Sequence, residues 1–141
     1  MTQEEKSLLL QDLSARLPHG VICTDSRHGD SKITEINIVD ETVYCDDFDE
    51  YVELDKIKPY LRPMSSITKE EISDLQKITS QFCFNQFDNS AYVGAADDGF
   101  CSVEEMDKIL DYLNSKHFDF HGLILASLAI EVTKENNPYE V

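Results

Sequence analysis

Three stretches carry the residue types that can do chemistry. His117-Phe118-Asp119-Phe120-His121 sets two imidazoles and a carboxylate at alternate positions. In an extended segment these three share one face, which is half of a metal site of the kind a metal-dependent hydrolase uses. A closed site needs more ligands, and the other histidines are His19 and His28. The plainer alternative is a turn at a helix exit, with Phe118 and Phe120 in the core and the polar residues outside. Asp98, Gly99 and Glu105 match the fifth, sixth and twelfth positions of a calcium loop, but Gly94 and Ala96 stand where its first and third carboxylates belong. The third stretch is acidic: Glu35, Asp40, Glu41, Asp46, Asp47, Asp49, Glu50, Glu53 and Asp55 follow one another with no Lys or Arg from Ile33 to Asp55. Such an array suits a basic protein surface, including a groove that otherwise holds nucleic acid. It equally suits a solvated sheet edge guarded by charge.

Nucleophilic and cofactor chemistry find less support. The chain has no G-x-S-x-G, no P-loop and no G-x-G-x-x-G. Its cysteines, Cys23, Cys45, Cys83 and Cys101, form no C-x-x-C pair, which argues against a zinc ribbon or a thioredoxin-type site. Cys23 and Cys45 fall in expected strands, where a small buried thiol is the usual case. No cofactor is expected, and the chain reads as non-enzymatic.

Composition points the same way. The 141 residues carry 28 Asp plus Glu against 12 Lys plus Arg, a formal net charge of −16. That surface repels nucleic acid and anionic membranes, because both are bound by basic groups that release counterions. Hydrophobic residues make up 41% of the chain, enough for a core. The N-terminus opens acidic and no run has the length of a membrane helix. The expected setting is cytoplasmic, with reduced thiols.

The elements that must position these residues follow from periodicity. Thr2 and Glu5 form a capping box for a helix over residues 3–16, with Leu9, Leu10, Leu13 and Leu17 inward and Gln11, Asp12 and Arg16 facing water. Pro18-His19-Gly20 ends it. Short β-branched or aromatic runs at 21–24, 33–39, 42–45 and 51–54, each bounded by turn formers, predict a four-strand antiparallel meander, with a small SH3-like barrel as its compact form. Leu54 to Glu71 holds Pro59 and Pro63 and separates alternating from helical periodicity. It reads as a packed strap. Thr68/Glu71 and Ser102/Glu105 are further capping boxes for helices to about 79 and 115. Residues 82–101 read as an aromatic and acidic irregular excursion with a short strand at 91–93. A helical turn, an extended segment and a polar tail from Lys134 finish the chain. The expected organisation is therefore 1–58 as a helix plus β unit, 59–67 as the junction, and 68–141 as a helical half, together an α+β fold.

Three phrases stand out together: DLSARLPHGVIC at 12–23, KIKPYLRPMSSITKEE at 56–71 and LNSKHFDFHGLI at 113–124. They resemble a group of small uncharacterised proteins of gut bacterial genomes, their phages and mobile elements. In that group the last phrase more often reads H-F-D-Y-R-G-L-I, with arginine where this chain has His121. The resemblance implies a bacterial or phage origin and no particular activity. The combined expectation is an acidic accessory protein of a bacterium or phage-infected bacterium that binds a basic surface of another protein. Its sharper form is an inhibitor that mimics nucleic acid, with the acids of 35–55 as the contact face.

Overall fold

A computed structural model describes residues 1–94 and 101–140. The first helix, α1 (Gln3–Arg16), starts at Thr2, whose hydroxyl accepts from the Glu5 backbone N–H while Glu5 reaches back to the Thr2 backbone. Leu9 and Leu13 are wholly buried against the sheet, each contributing about 1.5–3 kcal/mol by leaving water. A single 3₁₀ turn over Leu17–His19 follows, and Gly20 closes it at a positive φ of 75°, a conformation glycine adopts without a Cβ clash.

The expected meander is present. β1 (Ile22–Asp25), β2 (Gly29–Asn37), β3 (Thr42–Cys45) and β4 (Glu50–Glu53) pair antiparallel in chain order. Strict alternation along β2 fails at one point. A register irregularity between Ile33 and Glu35 inserts a residue, so Ile33 is buried and Ile36 packs on the same core.

The sheet does not stop there, and this overturns both the small barrel and the helical second half. The proline-marked stretch is a strand, β5 (Ile57–Pro63), inside a seven-stranded sheet of order β4-β3-β2-β1-β5-β8, where β8 is Phe118–Asp119 and β9, Ile130–Glu131, also lies on β5. Cys23 pairs with Pro59 across β1 and β5. β8 and β9 both run parallel to β5. Extended prolines are tolerated where no ladder N–H is required of them; between them the Arg62 N–H donates to the His117 carbonyl at 2.7 Å and the Leu61 carbonyl accepts from Val132 N at 2.8 Å. Besides these strands, the second half contributes α2 (Lys69–Ile78), α3 (Val103–Ser115) and a separate hairpin of β6 (Phe82–Asn85) and β7 (Ser90–Val93). The stretch expected to be irregular is thus partly a hairpin.

Two buried clusters result. One joins α1 to the main sheet and includes Leu123 and Leu128 from near the C-terminus. The other joins α2, β6, α3 and β8 through Leu75, Phe82, Ile109, Leu113 and Phe118. The expected polar tail is pinned. The Tyr139 hydroxyl accepts from Ile22 N at 3.0 Å and donates to the Tyr60 carbonyl at 2.8 Å, tying the tail to β1 and β5.

Candidate functional site

The acids of 35–55 divide into groups. The strands of β2, β3 and β4 align Glu35 with Tyr44 and Tyr44 with Tyr51 in one cross-strand row. The next inward row, Ile36–Val43–Val52, faces the core, so the Glu35 row faces solvent. Tyr51 donates to Glu35 at 2.6 Å, and Tyr44 donates to Asp49. The rings meet edge to face with centroids 5.2 Å apart. The Asp49 hydrogen bond pushes the Tyr44 hydroxyl up to about 12, and Glu35 raises Tyr51 in the same way, because each carboxylate accepts from the protonated phenol. At one end of the strands Asp40, Glu41, Glu53 and Asp55 line a small hollow together with Lys6. At the other end Asp46, Asp47, Asp49 and Glu50 form the β3–β4 turn, and His28 bridges Glu50 and Asp25 at 3.2 and 3.4 Å. β4 is the free edge of the sheet.

The second constellation was not among the sites expected from the sequence. Asp12 and Arg16, expected to face water, are wholly buried. Arg16 donates to both Asp12 oxygens, at 2.5 Å from Nε and 3.0 Å from Nη2, and Nη2 also reaches the Phe118 carbonyl at 2.6 Å. The His121 Nδ1 lies 2.7 Å from Asp12 Oδ2. A carboxylate held by a guanidinium only accepts, so this nitrogen carries the proton. An arginine in place of His121 would meet the same carboxylate with the same polarity. α1 is therefore tied to β8 and the turn after it twice, by Asp12 through His121 and by Arg16 through the Phe118 carbonyl.

The other members of the HFDFH stretch are spent on structure. Asp119 accepts from Leu123 N and Ile124 N, one with each oxygen and both at 2.9 Å. His117 has φ 65°, and its ring stacks on Tyr139 with centroids 3.6 Å apart. Burial, helped by Arg16, His19, Arg62 and Lys116, lowers its pKa to about 4, because the imidazolium would be desolvated among cations. Among the described residues no three His, Cys, Asp or Glu side chains are placed to hold a metal ion. Asp119 is engaged by two backbone N–H groups and His121 by Asp12, while the buried His117 Nδ1 has no hydrogen-bond partner. In the calcium-loop match, Asp98 and Gly99 lie outside the described residues, and Glu105 closes the capping box of α3 with Ser102.

The junction phrase adds its own anchor. Arg62 makes a two-pronged pair with Glu71 at 2.7 and 2.8 Å and lies 4.1 Å over the Phe118 ring. Burial alone would raise Glu71; Arg62 and the Thr68 cap outweigh it and hold the carboxyl below its usual value. The three phrases of the resemblance thus meet in one place: 12–23 through Asp12 and Arg16, 56–71 through Arg62 and Glu71, and 113–124 through Phe118 and His121. What they share is an architectural knot. The one sequence signal for it was their co-occurrence, together with the spacing of Leu9, Asp12, Leu13 and Arg16, which falls on a single helical stripe.

Cys23 and Cys45 are buried with their sulfurs 3.6 Å apart, and all four cysteines are free. The hydrogen bond to Cys45 and burial push the Cys23 thiol up, so it stays protonated and packs as a small apolar group. No family model matches the chain, and no curated protein or solved structure does either. Among the described residues no helix is long and apolar enough to cross a membrane.

Proposed function

We propose that this protein is a non-enzymatic acidic interaction module that binds a basic surface of another protein through the outward face and turns of β2, β3 and β4. The observation that carries the reading is the Glu35–Tyr44–Tyr51 row on the free side of the sheet, with acid clusters at both ends and no Lys or Arg from 33 to 55. Carboxylates there attract a basic partner, and the two tyrosines give stiff apolar area of the sort that anchors interfaces. Placement beside a free sheet edge leaves the whole face open to approach. The setting that goes with this reading is the cytoplasm of a bacterium or phage-infected bacterium. In the narrower version, the partner's basic surface is one that otherwise grips nucleic acid.

The test is affinity capture from a lysate of the native host across a salt gradient. A discrete partner retained at low salt and released as salt rises is the expected result, since surface ion pairs are screened within about 8–10 Å at physiological ionic strength. Release of that partner by added duplex DNA or RNA supports the mimic version. A partner that stays bound at molar salt contradicts the electrostatic reading.

A further inference from the structure

Exposed apolar side chains gather on α3 and the β6–β7 hairpin, apart from Ile38, Val39 and Tyr51 of the β2–β4 part of the sheet. Tyr92 on β7 and Met106 and Leu110 on α3 are 51%, 38% and 39% exposed, and Val103 one turn before them is 89% exposed. Val103, Met106 and Leu110 share one stripe of α3 by their spacing. With Ala91, Phe82 and Phe120 the inner members of this set line a groove of about 220 Å³ between the hairpin and α3. Ala91 and Phe120 also line a second hollow of about 480 Å³, bounded by Met64 and Leu125. The two hollows share Ala91 and Phe120 in their walls, and Leu125 of the second is 94% exposed. Apolar side chains lining a groove on a chain of net charge −16 call for a partner, since single scattered apolar residues do not line up along grooves.

Charge decides the partner. α3 presents Glu104, Asp107 and Asp111 beside the stripe; Lys108 pairs with Glu104 at 3.2 Å and His19 with Asp111 at 3.0 Å, and no ion pair among the described residues engages Asp107. Asp88 lies at the hairpin turn. We infer that this groove receives an amphipathic, basic helix of another protein, its apolar residues on Tyr92, Met106 and Leu110 and its Lys or Arg side chains toward Asp107 and its neighbours. This is the helix-in-groove mode, in which two turns of partner lie along two turns of α3. It rests on the proposed function for the partner's basic character alone; the surface is a different one.

The probe is a fluorescently labelled helical peptide with one leucine face and one lysine face, titrated against the full chain by anisotropy. A leucine–glutamate peptide of the same pattern is the control. The leucine–lysine peptide is expected to bind and the control to fail. Leu110→Glu and, separately, Met106→Glu should each weaken binding at least about tenfold, as loss of a central anchor does. Both sites are partly exposed, and circular dichroism checks that the variants fold. Lysine substitution of Asp46, Asp47, Asp49 and Glu50 should change this binding by less than about threefold, because none of them lines the groove and exposed charges are screened by salt. No binding of the leucine–lysine peptide, or binding that neither groove variant weakens, overturns the inference. So does a concentration-dependent dimer in light scattering that Leu110→Glu disperses, which would make a second copy the occupant. Failure of the groove leaves salt-sensitive capture by the sheet untouched, so the two proposals fail separately.

Discussion

Two regions of this molecule hold charge in opposite ways. In the knot of Asp12, Arg16 and His121 every charge is buried or half-buried and has a partner within 3.0 Å. On the sheet face, acids gather at the turns and edge with few cations beside them. The difference separates charge that builds the fold from charge left for something else. A buried carboxylate must be paired, since an unpaired one costs several kcal/mol, whereas exposed carboxylates in water cost little. The knot is therefore where substitutions should unfold the protein, and the sheet face is where they should change only what it binds.

The sharpest way to break the comparison is Arg16→Met. It leaves the buried Asp12 with His121 as its one remaining side-chain partner and should cost about 3–5 kcal/mol, read as a lower urea midpoint. Adding Asp12→Asn should restore part of that loss, because the buried charge that lost its guanidinium is then gone. A midpoint unchanged by Arg16→Met would show that the pair is not structural. A smaller loss is expected for Asp119→Ala, which leaves Leu123 N and Ile124 N without acceptors; about 1–3 kcal/mol is the usual range for stranded buried groups.

His117 sharpens the comparison through pH. Its folded pKa of about 4 lies below the ordinary 6.5, from burial first and then the surrounding cations. The unfolded chain thus takes up the proton before the folded one does. The stability this group allows is complete above pH 6.5 and is lost progressively as pH falls toward about 4. His117→Gln should flatten that window of the stability–pH curve, measured by urea unfolding at stepped pH, and an unaltered slope would place the acid sensitivity elsewhere. The smallest effect on stability belongs to the sheet. Lysine at Asp46, Asp47, Asp49 and Glu50 should move the thermal midpoint little, as each surface substitution is worth within about 0.5 kcal/mol.

The sequence was informative where local rules decide. All three capping boxes, at Thr2, Thr68 and Ser102, open helices as expected. The four meander strands follow from turn formers between β-branched runs. It was uninformative where distant partners decide. β8 is two residues long, too short for any periodicity, whereas β9 falls in the extended segment expected before the tail; what neither shows in sequence is its partner, the free backbone groups of β5. β5 read as a packed strap and not as a strand, because Pro59 and Pro63 cannot donate to a ladder; the sheet uses the extended geometry they already favour. Asp12 and Arg16 looked solvent-facing because charged side chains usually are; only the arrival of Phe118 and His121, a hundred residues on, makes burial possible. The acids of 35–55 were legible as a run, but their division into two turn clusters and a tyrosine row depends on strand register.

The central claim is that the sheet's acids serve binding and the knot's serve folding. The most direct measurement is affinity capture by the chain carrying lysine at Asp46, Asp47, Asp49 and Glu50, beside the unaltered protein in the same native lysate. The account predicts a folded variant, melting close to the parent, that no longer retains the salt-sensitive partner. A variant that keeps that partner at the parent's level would contradict it.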